Sequence, residues 1–134
     1  MSGIQDESFR ETAWFRAGEE TLTAAEAREL SRSASPEVLS ALAQNGAVPR
    51  DVIRWIHDHH PGLAITACLN WNAPIDLKAS APFRSHSHLA LTTLLDELQC
   101  TDTQWARFWE QGALAPESPT GAVLDAAGIR WQGR

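Results

Sequence analysis

The stretch Ser35-Pro36-Glu37-Val38-Leu39-Ser40-Ala41-Leu42-Ala43-Gln44-Asn45-Gly46-Ala47-Val48-Pro49-Arg50-Asp51-Val52 has an echo twenty-five residues downstream. There the chain reads His60-Pro61-Gly62-Leu63-Ala64-Ile65-Thr66-Ala67-Cys68-Leu69-Asn70-Trp71-Asn72-Ala73-Pro74-Ile75-Asp76-Leu77. Pro36 falls on Pro61, Asn45 on Asn70, Pro49 on Pro74 and Asp51 on Asp76. The matched residues are the ones that start and stop helices, so the match is one of architecture. Proline suits a first helical turn, and Ser35 before it suits an N-cap. Val38, Leu39 and Leu42 then form the apolar face of a short helix. Asn45 and Asn70 stand where that helix ends, and asparagine tolerates the left-handed conformation of a C-terminal cap. Pro49 and Pro74 open the next helix, and Asp51 and Asp76 put negative charge near its positive end.

The pattern extends both ways. Thr23-Ala24-Ala25-Glu26 is a capping box that starts a helix in the register of Pro49. Downstream, Ser87–Leu98 reads as a helix of the first kind and Thr103–Trp109 as one of the second, with Phe108 near the position of Trp55. Val123, Leu124 and Ala127 form a last short helix that Gly128 ends. A short helix cannot bury its apolar stripe alone, so each pair leans on its neighbours. The expected fold is all-α: a short α-solenoid of helix-turn-helix repeats with atypical capping ends. Residues 1–134 form a single domain, with 1–22 (including Phe9, Trp14 and Phe15) as N-terminal cap, 23–112 as repeats and 113–134 as C-terminal cap or tail. Ala79–Ser85 is the expected irregular connection.

Between Ser35 and Leu77 the text resembles the leucine-rich repeat variant family. The resemblance rests on Asn45-Gly46-Ala47-Val48-Pro49, Val52–Ile56, His60-Pro61 and Asn70-Trp71-Asn72-Ala73-Pro74. It implies a right-handed superhelix of alternating α and 3₁₀ helices. The family shares no catalytic residues, so the resemblance transfers none. Its iron–sulfur member holds the cluster in a Cys-rich N-terminal segment, and this chain has no cysteine before Cys68. No cofactor is expected.

Composition narrows the function. Eleven Lys and Arg stand against seventeen Asp and Glu in 134 residues, a net charge of −6. That balance argues against general affinity for nucleic acid or anionic lipid. No apolar run approaches the ~20 residues of a membrane helix, and the first residues lack the pattern of a secretory signal, so a cytoplasmic chain is expected. Two cysteines, Cys68 and Cys100, make no disulfide framework. Cys68 overlies Ala43 and reads as a core residue.

All five histidines lie in His57-Asp58-His59-His60 and His86-Ser87-His88. Two imidazoles and a carboxylate are a zinc ligand set, so a metal-dependent enzyme is one alternative, but only His57 and His60 have the spacing of two ligands on one helix. The plainer reading is solvated turn histidines. No carboxylate pair, nucleophile elbow or phosphate loop is present. The expected function is therefore non-catalytic: binding of a protein partner through the solenoid face and its turns. A second alternative is an acidic inhibitor or immunity-type protein that blocks a basic enzyme, steered by its charge. A nucleic-acid-binding repeat ranks last, because Arg10, Arg16, Arg28, Arg32, Arg50 and Arg54 are interspersed with acids; a local basic patch near Arg28, Arg32 and Arg54 is what it would need. Trp55 is expected to face inward. Trp71 occupies a turn over Gly46 of the previous repeat, free as an interface anchor or folded back on that turn. The expected contact residues are Trp71, Asn70, Asn72, His57 and His59.

Overall fold

A computed structural model of the chain describes residues 13–33 and 35–133. Helix α1 covers residues 13–17. Then follow α2 (Ala24–Leu30), α3 (Pro36–Gln44), α4 (Arg50–His59), a 3₁₀ turn (Pro61–Leu63), α5 (Ala64–Leu69) and α6 (Ile75–Ser80). A second 3₁₀ turn (Phe83–Ser85) leads to α7 (His88–Glu97), α8 (Asp102–Leu114) and α9 (Thr120–Ala126). No strand occurs among the described residues; an isolated backbone bridge joins Pro82 to Pro119. No helix among them is long and apolar enough to cross a membrane.

The boundaries follow local chemistry. Thr23 and Glu26 close a reciprocal capping box on α2, and Ser35 and Ser87 cap α3 and α7. Pro49 and Pro74 stand at the N-caps of α4 and α6, with Asp51 and Asp76 in the first turns. A second capping box, Thr101 with Gln104, starts α8. Asn45 and Asn70 depart from expectation: both end their helices in extended, not left-handed, backbone. The irregular connection is also shorter than 79–85, because α6 runs to Ser80 and 3₁₀ structure resumes at Phe83.

Two apolar clusters form the interior. The first runs from Ala13 to Ala81 and includes Val38, Leu39, Leu42, Ala43, Val52, Ile53, Ile56 and Cys68. The second runs from Ile75 to Ile129 and centres on Leu94, Leu95, Phe108 and Leu124. Helix α6 contributes to both, with Leu77 in the first and Ile75 in the second. Each large aliphatic side chain removed from water contributes roughly 1.5–3 kcal/mol before entropy is counted. Helix α9 packs on α6 and α8 and buries Val123 and Leu124; Ala127 and Ile129 are buried just beyond it. Residues 120–129 thus bury one face in the second cluster and expose Ala122, Asp125, Ala126 and Gly128. Phe9, assigned to the N-terminal cap, lies outside the described residues. Trp55 does not face inward: it is 37% exposed and stacks on His59, one turn further along α4.

Candidate functional site

The turns are tied to one another by buried asparagines. The Asn45 amide nitrogen donates to the carbonyls of Ala17 and Glu19, both at 2.8 Å. Its side-chain oxygen accepts the Ala47 N–H at 2.9 Å. Asn70 repeats the arrangement one step on. It donates to the carbonyls of Ala43 at 2.9 Å and Asn45 at 3.0 Å, and it accepts the Asn72 N–H at 2.8 Å. Asn72 then donates to the Val48 carbonyl at 3.0 Å. Asn45 and Asn70 thus satisfy the Ala17 and Ala43 carbonyls at the preceding helix ends, while the Glu19 and Asn45 carbonyls they also reach accept the Leu22 and Val48 N–H groups as well. This role, and not a left-handed cap, explains asparagine at these positions. It also engages two of the expected contact residues within the fold, Asn70 buried and Asn72 half-buried.

A second rung lies outside the first. Arg28 pairs with Asp51 at 3.3 Å, and Arg54 pairs with Asp76 at 2.6 Å. The Arg54 guanidinium holds the Asp76 carboxyl below its usual range. Sequence reading placed the two aspartates in first helical turns and missed their partners, which lie on the preceding helix pair.

What the turns leave exposed is aromatic. Trp71 is 41% exposed, and its indole lies across Gly46, where a Cβ would overlap the ring. It therefore folds back on the preceding turn while keeping an open face. Close to that turn lies a groove of about 430 Å³ lined by Trp14, Phe15, Gly18, Glu19, Ala41, Gln44 and Asn45. Trp14 and Phe15 are 47% and 58% exposed and meet edge to face at 4.8 Å. Beside the groove, Arg16 is bound by Glu19, Glu26 and Thr21. The guanidinium holds Glu26 down to about 2, and the Thr23 N–H adds to the effect.

The histidines divide. His59 donates from Nδ1 to the Trp55 carbonyl at 2.9 Å and stacks on the Trp55 ring at 4.7 Å. His60 meets the same ring edge-on, and His57 pairs with Asp58 at 2.9 Å. His88 stacks on Trp109, and His86 is buried. No group of three or more His, Cys, Asp or Glu among the described residues is arranged to hold a metal ion. Cys68 is buried, its thiol bonded to Ser80 at 3.4 Å, and burial pushes its pKa up.

Sequence reading missed one polar cluster altogether. Lys78, the only lysine in the chain, is 2% exposed. Its ammonium donates to the Ala90 carbonyl at 3.3 Å. Burial lowers its pKa from 10.5 to about 8; Glu97 opposes the shift and Arg50 adds to it. Arg50 and Glu97 are themselves paired. His86 Nε2 donates to the Lys78 carbonyl at 2.7 Å, which fixes its tautomer, and burial lowers its pKa. The twenty-five-residue register did contain a signal, since Lys78 overlies Ile53, a fully buried core position.

Comparison with family models, curated proteins and solved structures returns no significant match.

Proposed function

We propose that the chain is a short helical-repeat module, built in the manner of a solenoid, that binds a protein partner along the edge formed by its turns and performs no catalysis. The observation that carries this reading is the aromatic surface held on tied turns. Trp71 lies on Gly46 with one face open, and the turn beneath it is fixed by the amides of Asn45 and Asn70. Tryptophan on rigid backbone is the usual material of an interface hot spot, because little side-chain entropy is lost on contact. Contacts repeating at a step of about twenty-five residues, through Asn45 and Asn70 and through Asp51 and Asp76, support the repeat architecture. Trp55 with His59 adds a second exposed group near the end of α4, and His57, paired with Asp58, lies on another face of the same helix. In this reading Trp71, His57 and His59 touch the partner, while Asn70 and Asn72 hold the turns that present it.

The test is affinity capture from the native host, read by quantitative mass spectrometry. Trp71→Ala and His59→Ala are each compared with wild type after thermal melts verify folding. Loss of the same captured protein from both variants is expected. An unchanged set of captured proteins rejects the reading.

A further inference from the structure

We propose that the groove between α1 and the end of α3 receives a cationic side chain, arginine or lysine, carried on an apolar segment of the partner. The inference rests on the protein-binding reading above and adds the chemistry of what is bound. Two aromatic rings, Trp14 and Phe15, line the groove with about half of each side chain open to solvent. An aromatic face attracts a cation, most strongly where water is partly excluded. Glu19 also lines the groove, and its bonds to Arg16 and Thr21 among the described residues both fall on Oε2. The nearby Arg16 does not counter this field. Glu19 and Glu26 both bind it, and with Glu20 the segment 16–26 holds three acids against one base.

The alternatives fit less well. An anion would meet this carboxylate excess. A purely aliphatic segment would cover Glu19, paired through Oε2 alone, and strip water from the rest of its carboxylate with nothing in exchange. A guanidinium or ammonium satisfies both parts of the groove at once: the rings take its face and the carboxylate takes its charge. The flanking apolar residues then cover the remaining exposed surface of Trp14 and Phe15. The Asn45 amide is already bonded to the Ala17 and Glu19 carbonyls, so this side of the groove is fixed before anything binds.

The experiment uses the full chain and a defined probe, the acetylated and amidated peptide Leu-Arg-Leu-Leu-Arg-Leu. Its control carries citrulline, the neutral isostere, at both arginines. Binding is followed by NMR at the Trp14 indole N–H and the Gly18 amide. The arginine peptide is expected to shift both signals and to bind about tenfold more tightly than the citrulline peptide. Phe15→Ala and Glu19→Gln should each lose most of that difference, and added salt should weaken binding. Equal affinity for the two peptides overturns the proposal in favour of a purely apolar groove. Shifts confined to other tryptophans, or no shift at all, also overturn it. The two readings fail separately. A Trp71→Ala variant that loses its captured partner, with Trp14 unmoved by the peptide, removes the groove assignment and leaves the edge.

Discussion

Replacing Lys78 with methionine should make the protein more stable. The side chain is 2% exposed and lies where α6 joins the two apolar clusters. A fall in pKa from 10.5 to about 8 means that the site disfavours the charged form by about 3 kcal/mol relative to water. At pH 7 the amine is still mostly protonated, so the folded protein carries that penalty. Methionine has similar length and volume and no charge. What it loses is one long hydrogen bond, 3.3 Å to the Ala90 carbonyl, worth about 1 kcal/mol. The Arg50–Glu97 pair stays behind as a balanced couple, where the wild type has two cations sharing one carboxylate. The expected net gain is about 1–3 kcal/mol, or roughly 5–10 °C in Tm.

The pH dependence gives a sharper check on the same cause. The folded pKa lies below the unfolded one, so between the two values the unfolded chain holds more protons. Lys78 therefore contributes stability that rises as pH climbs from about 8 through 10.5 and is constant below that window. The methionine variant lacks this rise. Its advantage, measured by urea unfolding at pH 7, 9 and 10.5, should shrink steadily. A variant less stable than wild type at pH 7, or a gap that does not change with pH, would show that the ammonium is well solvated or well paired and would refute the reasoning.

Asn70→Ala should cost about 2 kcal/mol in urea unfolding, because the buried Ala43 carbonyl loses its donor while the Asn45 carbonyl keeps only the Val48 N–H. Asn70→Asp should cost more at neutral pH, since a carboxylate of the same shape would face two carbonyl oxygens; equal losses would mean that the amide is not the tie. Two glycines under aromatic rings should respond differently to alanine. Gly46→Ala meets the half-exposed Trp71, which can swing aside, and should cost under about 1 kcal/mol. Gly112→Ala meets Phe83, hemmed in by Phe108 and Trp109, and should cost about 2 kcal/mol, with Tm separating the two variants. Finally, His86 has a folded pKa below its ordinary 6.5, so its share of stability is full above 6.5 and is lost as pH falls through that value. His86→Gln should remove this component from melts run between pH 7 and 5, and an identical acid slope would refute the assignment.

The helix boundaries were legible because caps and prolines act within a few residues of themselves. Thr23 with Glu26, Pro49 and Pro74 need no knowledge of the rest of the chain to do their work. The burial of Val38, Leu39, Leu42 and Cys68 followed from helical spacing for the same reason. Asn45 and Asn70 were found but misread. Their carbonyl partners lie 25 to 28 residues away, and a local rule offers only a local role. Trp55 was misplaced because a repeat register fixes the angle of a residue on its helix only roughly, and the local stack on His59 decided its exposure. Lys78 stayed hidden for a different reason. A lysine beside Leu77 reads as a solvated charge unless a core position in the neighbouring repeat is consulted first. The groove was invisible because Trp14 and Phe15 meet Ala41 and Gln44 only in the folded chain.

The two rungs between neighbouring turns do different physical work, and the difference bears on binding. The Arg28–Asp51 and Arg54–Asp76 pairs are half-exposed, so water and salt reduce each to less than about 1 kcal/mol. They neutralise charge on their face more than they hold it together. The asparagine rung is buried, and loss of an amide would take the donor from the Ala17 or the Ala43 carbonyl. It is therefore the element that sets the register of one turn on the next, and Trp71 rides on it through Gly46. A partner that recognises the open face of Trp71 thus reads a position fixed by Asn45 and Asn70 and largely indifferent to the outer ion pairs. Charge reversal of Arg54 and Asp76 should leave recognition nearly intact, whereas loss of the Asn70 amide should disturb it even though Asn70 is almost wholly shielded from any partner.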